Sequence, residues 1–165
     1  MIGRIIIYVG AIILANMLVL IYGKYGLWLS SALLIPFDFV MRCYFHERWK
    51  GNELVLRLGL LIGTAALATY LINSDSLPIA LGSVSGFIGA NIIAGLIYQA
   101  LINKPVIYKV NGSDFAAIMV DSIIFQAVAF GVFDPVVMFG QTLIKMGGGL
   151  LWYWLLFHVI KMKLK

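Results

Sequence analysis

The sequence predicts an all-α integral membrane protein, built as a bundle of six transmembrane helices in a single domain over residues 1–165. Apolar residues make up 62% of the chain and charged residues only 12%, and the mean hydropathy is +1.01. Soluble domains are about half apolar and about a quarter charged. The length leaves room for about six spans of roughly 20 residues each, joined by short connections.

Six apolar segments, separated by short polar connections, are the predicted spans. Their bounds are residues 2–22, 26–45, 54–72, 77–102, 113–133 and 136–160. The first is too long for a signal-peptide core, so we expect it to be retained. Pro36 should kink the second span, because proline removes a helical hydrogen bond. Ser113 is the predicted N-cap of the fifth span.

Lysine and arginine residues are concentrated on one side of this predicted bundle. Lys24 is the one cation on the other side, and Lys145 lies within the last span. Ten cations share the first side: Arg4, Arg42, Arg48, Lys50, Arg57, Lys104, Lys109, Lys161, Lys163 and Lys165. The positive-inside rule therefore predicts cytoplasmic N- and C-termini and a multi-pass protein of the cytoplasmic (inner) membrane. The net charge of +5 then reflects membrane orientation, and no nucleic-acid partner is predicted.

The residue types and motifs of the sequence argue against an enzymatic function. Cys43 is the single cysteine, which excludes an intramolecular disulfide and a multi-cysteine metal site. The sequence contains no phosphate-binding glycine loop, zinc-ligand set or nucleophile triad. We therefore predict no enzymatic activity, no cofactor and no metal.

Four charged residues lie well inside the predicted spans, away from the polar connections. Asp38 and Arg42 are one helical turn apart on the second span, Asp121 is on the fifth and Lys145 on the sixth. At about 1.5 Å per residue, both acids lie roughly 10–12 Å from the cytoplasmic helix ends, within reach of the long Lys145 side chain. Because ionisable residues within the membrane usually serve function, we expect these four to surround one internal cavity.

Neutral polar residues extend this group. Asn91 and Gln99 share a face of the fourth span, Ser122 and Gln126 a face of the fifth, and Gln141 lies one turn before Lys145. Amides and carboxylates together suit a flat, hydrogen-bonding, purine-like ligand. The predicted substrate-binding residues are Asp38, Arg42, Asp121, Ser122, Lys145, Gln141, Asn91, Gln99 and Gln126.

Structural interpretations of the same residues stay open at this point. Asp38 and Arg42 can form an intrahelical pair that eases membrane insertion, and Asp121 and Lys145 a structural pair between helices. Asn91 and Gln99 can serve helix–helix hydrogen bonding. The glycines of the fourth and sixth spans favour close helix packing.

Two segments resemble a known family. PFDFVMRCYFHERWKG, residues 36–51, and SDFAAIMVDSIIFQAVAFG, residues 113–131, are similar to regions of the vitamin uptake transporter (VUT) family of queuosine-precursor transporters. The resemblance implies about six spans and import of 7-deazaguanine precursors, in their cyano or aminomethyl forms. It also implies site roles for Asp38, Arg42, His46, Glu47, Asp121 and Ser122. The chain departs from the family at Cys43 and Asn91, where acids are expected.

The working hypothesis is a small-molecule transporter that binds a purine-like base between its second, fifth and sixth spans. One alternative is the substrate-binding S component of an energy-coupling-factor vitamin transporter, favoured by the small-residue face Ala11-xxx-Ala15. A second is a membrane protein that packs or interacts without transport. The expected partners are the lipid bilayer and the small-molecule substrate, with a homo-oligomer or a coupling subunit left open.

Overall fold

The structure is a computed structural model that describes residues 2–49, 52–101, 103–104 and 106–160. Within these ranges the regular structure is entirely helical. The six α-helices are α1 Ile2–Tyr22, α2 Lys24–Arg48, α3 Asn52–Ile72, α4 Leu77–Ala100, α5 Val106–Phe130 and α6 Pro135–Trp154. A short 3₁₀ helix, Ser74–Ser76, precedes α4, and a π-helical turn, Leu155–Val159, continues α6.

Glycine and aspartate residues account for two helix ends and one helix start. Gly23 and Gly131 have φ angles of 55° and 67°, a backbone conformation that favours glycine, and they follow α1 and α5 directly. The carboxylate of Asp134 accepts hydrogen bonds from the backbone N–H groups of Val136 and Val137, so it caps the start of α6. The chain therefore reverses direction sharply between α1 and α2 and between α5 and α6.

The predicted start of the fifth helix was wrong. α5 begins at Val106, so Ser113 is a buried residue inside the helix and does not cap it. The part of α5 that precedes Ser113 packs against the end of α4, because a methyl group at Gly112 would lie 3.1 Å from Leu101 Cδ1. This tertiary contact outweighs the loop preference of the Asn-Gly-Ser sequence. α2 runs continuously through Pro36.

The six helices form a closed ring in the order α1, α2, α6, α5, α4, α3. The α4–α5 interface is the most extensive, and α2 packs on both α1 and α6. In the part of the chain that the structure describes, helices on opposite sides of the ring, such as α2 and α4, do not pack directly on each other. The ring therefore encloses an interior to which opposite helices contribute side chains.

Two apolar clusters occupy the ends of this interior. The apolar end cluster lies where α1 ends and α2 begins, and consists of Val19, Leu27, Ile79 and Phe125. The aromatic end cluster lies where α1 begins and α2 ends, and consists of Tyr8, Phe37, Val40, Met41, Tyr44, Phe45, Trp49, Leu58, Ile62, Phe87 and Leu156. In the aromatic end cluster, Phe45 stacks on Trp49 with ring centroids 4.5 Å apart. The guanidinium of Arg4 lies 4.9 Å from the centroid of the Tyr44 ring and donates to the Tyr44 hydroxyl.

The outer surface of the ring is apolar while charged side chains lie inside. Large apolar residues such as Ile7, Leu67, Ile92 and Leu150 are exposed, with exposed fractions of 58–75%. Among the described residues, three helical stretches are long and apolar enough to cross a membrane: Ile2–Tyr22, Ser74–Ile97 and Gly112–Phe130. The apolar stretch of α3, Leu56–Ile72, is shorter. An apolar exterior of this kind is typical of a surface that faces lipid.

Candidate functional site

An internal cavity of about 50 Å³ lies between the two end clusters, and every helix of the ring contributes to its lining. Apolar side chains such as Ile12, Ile62 and Phe125 form part of its wall. The polar residues that line it are Asn16, Ser30, Ser31, Asp38, Arg42, Ser83, Asp121, Gln141 and Lys145. A cavity with polar and charged side chains in an otherwise apolar wall therefore occupies the middle of a bundle with an apolar outside.

The first ion pair belongs to α2 alone. Arg42 and Asp38 are in direct contact, one helical turn apart, and Asp38 is only 4% exposed. The Arg42 guanidinium also lies 4.3 Å from the centroid of the Phe87 ring of α4. One carboxylate oxygen of Asp38, Oδ2, takes part in the pair, and Oδ1 has no hydrogen-bond partner among the described residues. The Tyr8 hydroxyl faces the same carboxylate without a hydrogen bond of ordinary geometry.

The second ion pair joins α6 to α5. The Lys145 ammonium donates to Asp121 Oδ2 over 2.9 Å and to Ser122 Oγ over 2.8 Å. Gly86 on α4 leaves space for this carboxylate, because a methyl group there would lie 2.9 Å from Asp121 Oδ1. Lys145 is 3% exposed, so the pair and the serine stabilise a charge that would be very costly to bury alone.

Each acid is thus matched by a base, as the structural interpretation of these residues requires. Two acids and two bases line the cavity, so their formal charges cancel. Buried pairs of this kind do not by themselves indicate net stabilisation, because desolvation offsets much of the attraction. Ion pairing accounts for the burial of the four charged groups. It does not account for the other polar atoms of the cavity.

Gln141 is the feature that charge pairing does not explain. Its side chain is fully buried on α6, it lines the cavity, and both its amide nitrogen and its amide oxygen lack a partner among the described residues. The Ser31 hydroxyl and Asp38 Oδ1 are in the same situation. A buried polar group without a partner costs about 1–3 kcal/mol. The cavity is therefore suited to receive a molecule that hydrogen-bonds to these groups.

The size of the cavity limits what it can receive in this arrangement. Each buried water needs about 10–15 Å³ of such a cavity, so 50 Å³ corresponds to about three to five waters. Pockets for drug-sized ligands are about 300–1,000 Å³. A flat base would fit only after the helices around the cavity separate.

No protein-family model, curated protein or solved structure matches the chain. The resemblance to the vitamin uptake transporter family therefore stays a prediction, and its residues His46 and Glu47 have side chains outside the part that the structure describes. The same holds for the side chain of Cys43.

The structure brings together five of the nine predicted site residues. Asp38, Arg42, Asp121, Gln141 and Lys145 line the one cavity described above. Ser122 is not part of the lining but holds Lys145 in place.

Three predicted residues lie elsewhere. Asn91 and Gln99 are exposed on α4, and the Asn91 amide donates to the carbonyl of Phe87 on its own helix over 2.7 Å. α4 turns Gly82, Gly86 and Gly89 towards α5, which leaves the amides on the outer face. Gln126 is buried, and its amide oxygen accepts from the backbone N–H of Asp134 over 3.1 Å, outside the cavity lining.

Sequence reasoning missed Asn16 and a set of serines. Asn16 is 3% exposed on α1, lines the cavity, accepts from the Ser83 hydroxyl of α4 over 2.6 Å, and donates to Thr69 of α3 over 3.4 Å. It was detectable as the single amide in an otherwise apolar first span. Ser30 and Ser31, adjacent in the second span, gave a weaker signal, because small hydroxyl residues are common wherever membrane helices pack closely.

The small-residue face of α1 points into the ring. Ala15 is 3% exposed and lines the cavity, and Ala11 packs against the aromatic end cluster. The Ala11-xxx-Ala15 pattern therefore serves packing within the bundle, and it offers no outer surface to a partner subunit.

Proposed function

We propose that this protein is a six-span transporter of the cytoplasmic membrane that imports a purine-like base through its central cavity. The substrate implied by the family resemblance is a queuosine precursor of the 7-deazaguanine type. The observation that carries the proposal is the buried Gln141 amide, which has no partner among the described residues and lies in the wall of a cavity that also contains two ion pairs. Buried amides are almost always hydrogen-bonded, so this group requires a polar partner, and a ligand in the cavity supplies one.

The shared ring supports the proposal of six spans. α2, α3 and α6 contain 25, 21 and 20 residues and pack side by side with the three more apolar helices. At about 1.5 Å per residue they reach about 30–38 Å, enough for a hydrocarbon core about 30 Å thick. Asp38, Arg42 and Lys145 lower the hydropathy of α2 and α6 but face the cavity, so they are not set against lipid. The excess of cations on one side orients both termini to the cytoplasm.

Recognition follows from the groups on the cavity wall. Asp38 Oδ1 accepts from a ligand N–H group, and the Gln141 amide both donates and accepts. Phe125 supplies an apolar ring surface on the same wall. The Asp121–Lys145 pair holds α5 and α6 together beside the ligand.

Transport requires the cavity to enlarge and to open towards each side in turn. The apolar end cluster contains four buried side chains, none of them in an ion pair or a hydrogen bond, and it closes the end that orientation assigns to the outside. The aromatic end cluster is larger and includes the Arg4–Tyr44 contact. We therefore assign entry to the apolar end and release to the aromatic end.

The decisive experiment measures uptake of labelled 7-cyano-7-deazaguanine into cells that lack their own transporter. Asp38→Asn and Asp121→Asn should each reduce uptake about 10- to 100-fold, because each removes the charge of one partner in a buried ion pair of the cavity and leaves the other unmatched. Asp75→Asn is the matched control, because Asp75 is exposed in the connection before α4. It should transport like the wild type.

The other outcomes separate the alternatives. Wild-type uptake no greater than in cells with an empty vector would contradict the transporter proposal. Normal uptake by both cavity variants would show that the site is elsewhere. Stable co-purification with a membrane coupling subunit and two ATPases would favour the S-component alternative.

A further inference from the structure

We propose that three buried polar atoms at the aromatic end of the cavity recognise a short, nitrogen-bearing substituent on the transported base. This substituent subsite consists of Tyr8 Oη, Asp38 Oδ1 and Arg42 Nε. The inference rests on the proposed transport of a 7-deazaguanine, and it adds which part of the substrate, besides the base itself, the protein recognises.

The three atoms share the lack of a partner. Each is buried and has no hydrogen-bond partner among the described residues. Tyr8 is 0% exposed and Asp38 4% exposed, so water outside the bundle does not reach them. Buried polar atoms almost always have a partner. A bound molecule can therefore supply what these three atoms lack.

The subsite lies where the cavity meets the aromatic end cluster. Asp38 and Arg42 line the cavity, and the Tyr8 hydroxyl faces the Asp38 carboxylate. The Tyr8 ring belongs to the aromatic end cluster, where it packs edge-on against Phe45 with ring centroids 5.3 Å apart. The subsite is therefore at the end of the cavity to which we assign release.

Gln141 and Ser31 lie at a different level of the bundle. Ser31 and Asp38 are seven residues apart on α2, about 10 Å along the helix. A methyl group at Gly140, the residue before Gln141, would lie 2.4 Å from the ring of Trp28, three residues before Ser31. The unpartnered atoms of the interior thus form two sets, one near Ser31 and one near Asp38.

A 7-deazaguanine also carries its polar groups in two places. Its cyclic amide and amino group are on the six-membered ring, and the 7-substituent is on the five-membered ring. The Gln141 amide donates and accepts, as the cyclic amide requires. When the cavity enlarges, a base whose amide edge is at Gln141 directs its 7-substituent towards Asp38.

The subsite contains donors as well as acceptors. Asp38 Oδ1 only accepts, Arg42 Nε–H only donates, and the Tyr8 hydroxyl does both. An aminomethyl group, which is an ammonium at neutral pH, donates to Asp38 and Tyr8. A cyano group accepts from Tyr8 and Arg42. One subsite therefore suits both forms of the substrate that the family resemblance implies.

The positive charge of Arg42 is compatible with an ammonium group nearby. Arg42 pairs with Oδ2 of Asp38 and leaves Oδ1 without a partner. The Arg42 guanidinium also lies 4.3 Å from the ring centroid of Phe87 and 5.0 Å from that of Phe39, and aromatic faces stabilise a cation. The two oxygens of one carboxylate can therefore serve two cations.

The experiment is a binding titration on the purified full chain with three compounds that share one base. 7-Deazaguanine has no substituent, and the other two are its 7-cyano and 7-aminomethyl forms. We expect both substituted compounds to bind at least about tenfold more tightly than 7-deazaguanine, as hydrogen bonds that involve a charged group allow. Equal binding of all three would overturn the subsite, and a preference for only one substituted form would overturn its use for both.

A pair of tyrosine variants tests the assignment of Tyr8. Tyr8→Phe keeps the ring against Phe45 and removes the hydroxyl, so affinity for both substituted compounds should fall about three- to tenfold. Affinity for 7-deazaguanine should stay within about twofold of the wild type. An equal loss for all three compounds, or no loss for any, would overturn the role of Tyr8 in recognition.

Tyr44→Phe is the matched control. Tyr44 is a 1% exposed tyrosine of the same aromatic end cluster, and its hydroxyl accepts from Arg4. This variant should keep the wild-type ratio of affinities between the substituted compounds and 7-deazaguanine. Loss of that ratio in Tyr44→Phe as well would contradict a subsite at Tyr8.

Failure of the proposed function gives a different result. If none of the three compounds binds to the wild type and none is taken up by cells, the proposed function falls and this inference falls with it. If all three bind alike and are taken up, the proposed function survives and only the substituent subsite is lost.

Discussion

At the scale of single residues, Lys145 raises the sharpest question. Its ammonium is buried between Asp121 and Ser122, an arrangement that both a structural pair and a transport site would produce. Breaking such a pair and removing it altogether have different consequences. One charge left alone in the interior is costly, whereas two apolar side chains of similar volume are often tolerated.

Lys145→Met should therefore lower the stability of the protein by about 3–5 kcal/mol, because Asp121 loses its counter-charge. The double variant Asp121→Leu/Lys145→Met should recover stability to within about 1 kcal/mol of the wild type. Unfolding of the purified variants in detergent measures this difference. Uptake should stay low in both variants, and a double variant that both folds and transports would identify the pair as purely structural.

At the scale of helices, the α2–α6 crossing positions the site. Gly148 is at the closest approach: a methyl group there would lie 2.6 Å from Pro36 Cγ and 2.7 Å from the carbonyl oxygen of Ala32. Gly147 and Gly149 have no atom within 4 Å of such a methyl group among the described residues. Because α6 carries Gln141 and Lys145, this crossing determines how near they come to Asp38.

Gly148→Ala should push α6 away from α2 and lower stability by about 1–3 kcal/mol, as overpacking does. Gly147→Ala and Gly149→Ala place the same methyl group in open space. They should be neutral or stabilising by up to about 1 kcal/mol, since alanine favours helix over glycine. Melting temperatures of the three variants test the comparison, and equal destabilisation at all three positions would contradict the close crossing.

The helices also show which bounds and faces can be predicted from sequence patterns alone. α1 has the predicted bounds, because a long apolar run between polar ends has no competing interpretation. The start of α5 was missed because packing on the end of α4 overrides the Asn-Gly-Ser signal. The outward face of Asn91 and Gln99 could not be predicted either, since α4 carries apolar residues all round and its rotation is set by glycine contacts with α5.

At the scale of the whole molecule, the arrangement of charge defines both the interior and the orientation. Arg42 and Lys145 line the cavity, where each forms an ion pair. The cations outside the cavity keep the same bias, with Lys24 alone on the other side, at the start of α2. The predicted membrane orientation is therefore the same when the cations of the cavity are left out of the count.

Cysteine labelling tests the orientation in intact cells that express a Cys43→Ser background. Ser74→Cys and Lys104→Cys introduce single thiols at exposed positions of two different connections. A membrane-impermeant maleimide should label position 74 in intact cells, and position 104 only after permeabilisation. The reverse pattern would invert the protein, and labelling of both in intact cells would contradict six spans.

The sequence by itself determined the helical class, the approximate positions of the helices, the charge bias and the four ionisable residues of the interior. These properties follow from hydropathy and charge summed along the chain, so they need no knowledge of neighbours. Only the tertiary structure decided which polar groups meet. It paired all four charges, admitted Asn16 and Ser31, turned Asn91 and Gln99 outward, and left the Gln141 amide unpartnered. The rotation of each helix depends on packing against its neighbours, which no local pattern in the sequence contains.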